Sequence, residues 1–445
     1  MARRSSRLGT KTAATFLAMG LVMAACGDGN GGDGDAAEPA TAGDDEPEGD
    51  AATGEGVAVG ASMEEYQEAF ADIDPIEISW QISTGPDAPV SRGLATEYAA
   101  AVEEWSDGKI TFDVIYASGV VPFDQANDGV QQGLVDQIHH APIYEPDRFP
   151  AINLGIGLTM LADPTPVVGL LQTYAMFNEF AFEQPDMVEE FAANGMVPIT
   201  PFLEQGGARL LCVDDDVQSL DDLAGKEIRV SSAAHADEIA ALGATPVSLP
   251  MGEIFEAFQR GIVDCAAVNL TTADAMGLAE VSGSWTIDSE VSFSGAPSTL
   301  SFNEGVWESY PLEVQQLLWD RLDVKVEWTM WGFLENNRAA LEGGIEEHGL
   351  SINEFDEDAR EAFEEHFDAW VEETSERAPA GIDGDEFAQQ ALDLRDKWLG
   401  IVEDLGYRDE DTTWSEFSSL DVDGIDLAPY AERVWEEIYL PRRPG

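Results

Sequence analysis

Two arginines stand out among the residues able to do chemistry. The chain carries 22 Lys+Arg against 87 Asp+Glu, so a cation on a strand is informative. Arg229 lies in KEIRVSSAAHA, at the end of a strand-like run and within three residues of a helix start. Its planar fork, beside the unpaired N–H groups of a first helical turn, suits a carboxylate held by two parallel hydrogen bonds. Arg209, in GGARLLC, sits on the preceding strand and reaches the same region. The alternative is that both arginines form structural ion pairs with the abundant acids. The residues alone leave these two readings level.

Covalent chemistry has no comparable candidate. The sequence contains no Gly-rich phosphate loop, no GxSxG elbow, no HExxH and no CxxC. His139 and His140 are adjacent, and on a strand adjacent side chains point to opposite faces, so they do not share a metal ion. With 87 acids almost any two make a pair, and paired carboxylates carry no information. Twelve residues from Asp28 falls on Pro39 rather than the Glu of a calcium loop, and DVDGID at 421–426 has its Gly misplaced. No catalytic residue, metal site or cofactor is expected.

The elements that hold the arginines follow from periodicity. PIEISW reads as a strand. Leu94, Tyr98, Val102 and Trp105 recur at helical spacing, and Ile110, Phe112, Val114 and Tyr116 alternate as one face of a strand. A helix through Asn127–Gln132, then Gly133, leads into a strand LVDQI, which completes a β-α-β-α-β pattern. The second half repeats it: strand RLLCV, strand EIRV, a helix capped by Ser231 or Ser232 and closed by Gly243, strand PVSL, helix MGEIFEAFQR, strand GIVDCAAV. The phrases QQGLVD at 131–136 and QRGIVD at 259–264 nearly coincide. Gly133 and Gly261 each sit where a helix stops and the chain turns into a sheet. Chance is the alternative, and the matching context favours two similar lobes. From Pro311 the chain reads as one long helix to about residue 349, with further helices near 357–377 and 385–405. Trp319, Trp328, Trp331 and Phe333 read as packing rather than a ligand box.

The net charge is −65. That excludes nucleic acid as a partner, which requires a basic footprint, and excludes charge-driven binding to an acidic membrane surface. A solvated acidic surface suits high salt, where the Debye length falls to ~3 Å at 1 M. The reading is a salt-adapted protein, with an ordinary acidic exported protein as the alternative. Arg3, Arg4, Arg7 and Lys11 precede an apolar stretch from Ala13 to Ala25, too short for a permanent membrane span. It ends LVMAAC, with small Ala24 and Ala25 before Cys26, as at a signal-peptide cut. This end resembles a bacterial lipobox, with Met23 where Leu is usual, and the resemblance implies lipidation of Cys26. An ordinary secretory signal is the alternative. Loss of residues 1–25 removes four cations and no acid, leaving 18 Lys+Arg against 87 Asp+Glu, or −69. Residues 27–60 are Gly, Asp, Ala and Glu with almost nothing to bury, and read as a disordered tether. Cys212 and Cys265 are either buried thiols or one disulfide.

The segment GARLLCVDDDVQSLDDLAGKEIRVSSAAHADEIAALGATPVSLPMGEIFEAFQRGIVD resembles the solute-binding subunit of tripartite ATP-independent periplasmic (TRAP) transporters. The Gly-x-Arg strand, the D-L-x-G-K-x-I-R-V run, the A-L-G-A-x-P-V-x-L-P turn and the helix ending Q-x-G-[IV]-V-D carry the likeness. WSDGKITFDVIYASG, GVQQGLVDQ, IYEPDRFP and FNEGVWESYPLEVQQLL extend it over roughly residues 76–370. The resemblance implies an α/β, two-lobed periplasmic-binding-protein fold of type II with a long spanning helix and a helical C-terminal region. It implies that Arg229 pairs with a ligand carboxylate and that Arg209 supports it. The family's third contact is an Asn shortly after the V-D pair. Here Asn269 stands one residue late, with Val268 in the expected place. The expected protein is therefore a non-enzymatic, extracytoplasmic receptor held to the outer face of the cell membrane by lipid at Cys26. It captures a small organic acid and delivers it to TRAP-type membrane subunits. The alternatives are a related receptor for a non-carboxylate solute or a sensory partner, and a secreted hydrolase, for which no constellation is found. The expected organisation is a signal peptide at 1–25, the lipidated Cys and tether at 26–74, lobe I at 75–206 with about 295–335, and lobe II at 207–294 with about 336–445 and the C-terminal helices.

Overall fold

The computed structural model describes residues 54–213, 216–409 and 412–445. The signal segment, Cys26 and the tether through residue 53 lie outside the described residues. The strands in chain order are β1 (Ile76–Gln81), β2 (Ile110–Ile115), β3 (Gln137–His140), β4 (Met196–Leu203), β5 (Arg209–Cys212), β6 (Glu227–Val230), β7 (Thr245–Ser248), β8 (Cys265–Val268), β9 (Ser284–Thr286), β10 (Ser298–Asn303) and β11 (Ser351–Asn353). They form two sheets, ordered β2-β1-β3-β10-β4 and β11-β9-β5-β8-β6-β7. Followed from β2 and from β7, the sheets share one plan: three parallel strands, then one antiparallel strand, which is β10 in the first and β5 in the second.

The twin phrases occupy equivalent joints. Gly133 and Gly261 have φ of 66° and 64°, a left-handed conformation that costs glycine little. In each phrase the residue after Gly, Leu134 or Ile262, is exposed, and the Val after that is buried. Each closing Asp then clamps the neighbouring strand. Asp136 accepts from Ser79 N at 2.7 Å, and Asp264 accepts from Glu227 N at 2.8 Å. The repeated six residues therefore encode a helix stop, a buried anchor and a strand clamp, once per lobe.

Two extended crossings join the sheets, from β4 to β5 and from β9 to β10, and a helical one leads from β10 to β11. The two extended crossings run side by side, with Leu203 paired to Ser298 and Ala208 bridged to Phe293. A Cβ on Gly207 would lie 2.4 Å from the Phe293 carbonyl oxygen, and one on Gly295 would lie 2.1 Å from Glu204, so this approach requires glycine. Packing on the first sheet is aromatic. Trp80 is fully buried, 5.9 Å edge-on from Tyr98 and 5.7 Å from Phe112. Each such side chain contributes roughly 1.5–3 kcal/mol by burial.

The structure departs from expectation in four places and decides one open alternative. Residues 62–70, expected within the tether region ending at 74, already belong to the fold. Ser62 and Glu65 form a capping box on the helix Met63–Ala69, and Tyr66 and Phe70, four apart, are buried. Tyr66 donates to Asp320 at 2.6 Å, which Arg443 also reaches at 2.7 Å, so the helix Met63–Ala69 and the C-terminal segment are pinned to one carboxylate. The strand expected at 134–138 lies at Gln137–His140 instead, because the Asp136 clamp comes first. The long helix divides at Arg321 into Leu312–Asp320 and Leu322–Glu346. There the guanidinium leaves the axis to lie 3.7 Å over the Trp105 ring. The C-terminal helices Gly384–Asp404 and Ala428–Val434, expected with the second lobe, pack on Val168–Glu183, which precedes β4 of the first sheet, whereas Glu357–Glu372 stays with the second lobe, its Ala359 and Phe363 in that core. Trp398 donates to Glu179 at 2.6 Å, and Tyr430 donates to the Leu171 carbonyl at 2.7 Å. The physical reason is the buried aromatic face of these helices, which the apolar helix Val168–Glu183 covers. Finally, Cys212 and Cys265 are directly opposed on β5 and β8 and form a disulfide, which resolves the alternative left open above.

Candidate functional site

The two crossings make the base of a cavity between the sheets. Leu203 and Gln205 come from the first crossing, and Ala296, Pro297 and Ser298 from the second. The inner chamber measures about 90 Å³ and opens into a wider mouth of about 440 Å³ with which it shares Ser83, Tyr144 and Met251. Phe333, on the helix Leu322–Glu346, closes one wall, so the long helix borders the same space.

Arg229 enters this chamber from β6 and is 3 % exposed. Its Nε donates to the Leu249 carbonyl at 2.9 Å, and Nη1 makes a long bond to the Ala267 carbonyl at 3.4 Å. No carboxylate pairs with it among the described residues. Opposite stands Tyr144, from the Pro142–Tyr144 turn that follows β3. Burial pushes the Arg229 pKa down, and the Tyr144 phenol beside it counters that shift. Burial pushes the Tyr144 pKa up, with Arg229 acting in the opposite sense, so the phenol keeps its proton. The pair joins the two sheets across the cavity.

Asn269 also lines the chamber, as the N-cap of the helix Leu270–Ala275. Its Oδ1 accepts from Thr272 N at 2.8 Å. Val268, the last residue of β8, lines it as well. Arg209 does not line the chamber. It is 4 % exposed, with its guanidinium 4.5 Å over the Trp414 ring and Nη2 3.3 Å from the Pro164 carbonyl, which also accepts from Trp414 Nε1 at 3.1 Å. Burial pushes its pKa down to about 10, offset by the charges of Asp288 and Glu204. The structure thus brings Arg229 and Asn269 together and sets Arg209 behind the crossing, on an aromatic from the C-terminal region.

Several chamber residues escaped sequence reasoning. Tyr144 and Gln205 lie in irregular segments, where no periodicity tells which way a side chain points. His139 was weighed only as a metal ligand. It lines the chamber neutral, its pKa pushed down to about 3 by burial, and bridges Ser83 at 2.9 Å and Ser298 at 2.5 Å. His140 bonds elsewhere, to Asn127 and Ser301. Lys325, whose charge acts on His139, is fully buried, and its Nζ has no hydrogen-bond partner. Among the described residues no group of three or more His, Cys, Asp or Glu side chains is placed to hold a metal ion.

Comparison with known proteins extends this picture. Residues 82–377 match the family described as bacterial extracellular solute-binding protein, family 7. The chain is 23 % identical over 300 residues to the ectoine-binding periplasmic protein TeaA of Halomonas elongata, covering 65 % of this chain and 83 % of that one. It superposes with a TM-score of 0.62 at 19 % identity on a TRAP solute-binding protein of Rhodoferax ferrireducens in complex with copurified benzoate, covering 74 % of this chain and 99 % of that one. The sugar acid binding protein of Advenella mimigardefordensis in complex with galactonate also gives 0.62 at 19 % identity, with 74 % and 100 % covered.

Proposed function

The chain belongs to the family 7 bacterial extracellular solute-binding proteins, the binding subunits of TRAP transporters, and from that premise we propose that it is a lipid-anchored receptor gripping an organic acid by its carboxylate at Arg229. The carrying observation is a buried guanidinium on a cavity wall with no acidic partner among the described residues. A bidentate carboxylate supplies the missing charge, and the protonated Tyr144 hydroxyl donates a further bond to it. Asn269 presents its amide to the same space, and Arg209 holds the crossing behind it. Benzoate and galactonate, bound by two structural relatives, are both carboxylates, which supports this reading.

Two lobes then close on the guest: lobe I, with the first sheet and the helices Gly384–Asp404 and Ala428–Val434 on its side, and lobe II, with the second sheet. Because Tyr144 and Arg229 come from opposite sheets, a carboxylate between them favours the closed arrangement by its differential contacts. Membrane subunits of the TRAP type accept the solute, and lipid on Cys26, with the tether that follows, keeps the receptor at the outer face of the membrane. Calorimetric titration of the purified protein with organic acids, repeated on Arg229→Lys, tests the grip; unchanged affinity in the variant rejects it. Metabolic labelling with a fatty acid, lost in Cys26→Ala, tests the anchor.

A further inference from the structure

We infer that the guest is an aromatic monocarboxylate with few or no hydroxyls, an inference that rests on the carboxylate reading of Arg229. Three observations carry it. The first is charge. Among the described residues Arg229 is the one charged side chain lining the inner chamber; the acids near the cavity, Asp124 and Asp274, line the mouth. His139 is held neutral by burial, so the chamber offers no second cation. A dicarboxylate would leave one charge buried without a partner.

The second is hydrogen-bonding capacity. Most polar groups of the chamber wall are already engaged with protein. Ser83, His139 and Ser298 bond one another, Thr84 meets Ser91, and Ser231 meets His235. Asn269 uses its oxygen as a cap. Among the described residues two buried oxygens remain without partners, Gln205 Oε1 and Thr271 Oγ1. The amide oxygen of Gln205 only accepts, so it calls for a donor such as one ligand hydroxyl. A polyhydroxylated acid would bring more hydroxyls than Gln205, Thr271 and the free amide of Asn269 can answer, the rest facing apolar wall.

The third is size and surface. The chamber of about 90 Å³ around Arg229 has room for one ring and its carboxylate, and it runs on into the neighbouring space of about 440 Å³ past Thr84, Phe123 and Met276. Its apolar wall includes Phe123, Phe333, Met251 and Met276. Aromatic rings and thioethers favour an aromatic guest through edge-on and sulfur–ring contacts.

Titration calorimetry on the purified full-length protein, freed of copurified solute, decides the matter. The probes are benzoate, 3-hydroxybenzoate, succinate, galacturonate and the neutral isostere benzamide. The expected result is that the two ring acids bind about 100-fold or more tighter than succinate, galacturonate and benzamide. Succinate or galacturonate binding as tightly, and weakened by Arg229→Lys, overturns this inference while sparing the carboxylate reading. Benzamide binding like benzoate overturns the carboxylate reading itself. No binding of either ring acid overturns the inference. Gln205→Leu is expected to erase any preference for 3-hydroxybenzoate over benzoate; a preference that persists overturns the assignment of the hydroxyl to Gln205.

Discussion

Arg229 and Tyr144 face each other across the gap between the two sheets, guanidinium against phenol, each shifting the other's titration. A group gripped by both must hold the sheets together. Arg229→Lys keeps the charge and loses the fork, and solute affinity should fall by about 2–3 kcal/mol. Tyr144→Phe should cost about 1 kcal/mol, and the double variant less than the sum, because both act on one carboxylate. Calorimetry on the four proteins gives the coupling directly; strict additivity would mean that the two residues do not share a ligand group.

Arg209 is packed against Trp414, away from the chamber lining. Trp414→Ala should therefore lower unfolding stability by about 3–5 kcal/mol, through lost burial and a lost cation–π contact. Arg209→Met should destabilise as well, while changing solute affinity by less than about threefold, under 1 kcal/mol. Urea unfolding and titration of the same samples separate the two effects. A large affinity loss in a stably folded Arg209→Met protein would return Arg209 to the ligand.

Lys325 is buried without a partner, and burial pushes its pKa down to about 7 from 10.5. Below pH 7 both folded and unfolded states hold the proton, and the full burial penalty is present. Between pH 7 and 10.5 the unfolded state holds a proton that the folded state has shed, so stability rises with pH. Lys325→Met should stabilise by about 2–4 kcal/mol on the acid side of this window, with the gain shrinking toward its alkaline end. Urea unfolding of both proteins at several pH values reads the difference; a gain independent of pH would contradict the assignment.

The Cys212–Cys265 bond ties β5 to β8 across 53 residues of chain. Replacing both cysteines with Ala should lower stability by about 2–4 kcal/mol, chiefly by freeing the unfolded chain. Because the bond sits in the sheet that carries Arg229, thermal unfolding with and without reductant should show the same ordering. Equal melting temperatures would place the two cysteines as thiols in solution.

An anion approaching a chain of 22 Lys+Arg and 87 Asp+Glu is repelled at long range. Salt screens that repulsion, with a Debye length of ~3 Å at 1 M, but screens a desolvated pair at Arg229 far less. Solute affinity should therefore persist in molar salt, and the association rate should rise with ionic strength. Stopped-flow tryptophan fluorescence across a salt series checks both; an affinity that collapses above about 1 M salt would refute the buried pair.

What the chain declared by itself was local. Alternation and helical spacing located the parallel strands around Arg229, since one face of each element is buried and period follows burial. The twin phrases announced two lobes, because a helix stop, an anchor and a clamp must be written in adjacent residues. Arg229 was legible because a cation is conspicuous among so many acids. Contacts between distant segments were not written that way. Tyr144 meets Arg229, Trp414 takes Arg209, and the C-terminal helices choose Val168–Glu183, each across dozens to hundreds of residues. Such choices are made by the shape of two packed surfaces, which no spacing along one chain records. The sequence by itself marked the repeated α/β elements and two arginines conspicuous among the acids; only the tertiary structure decided that Arg229 and not Arg209 lines the chamber, and which side chains surround it, because burial and direction in the irregular crossings are properties of the assembled lobes.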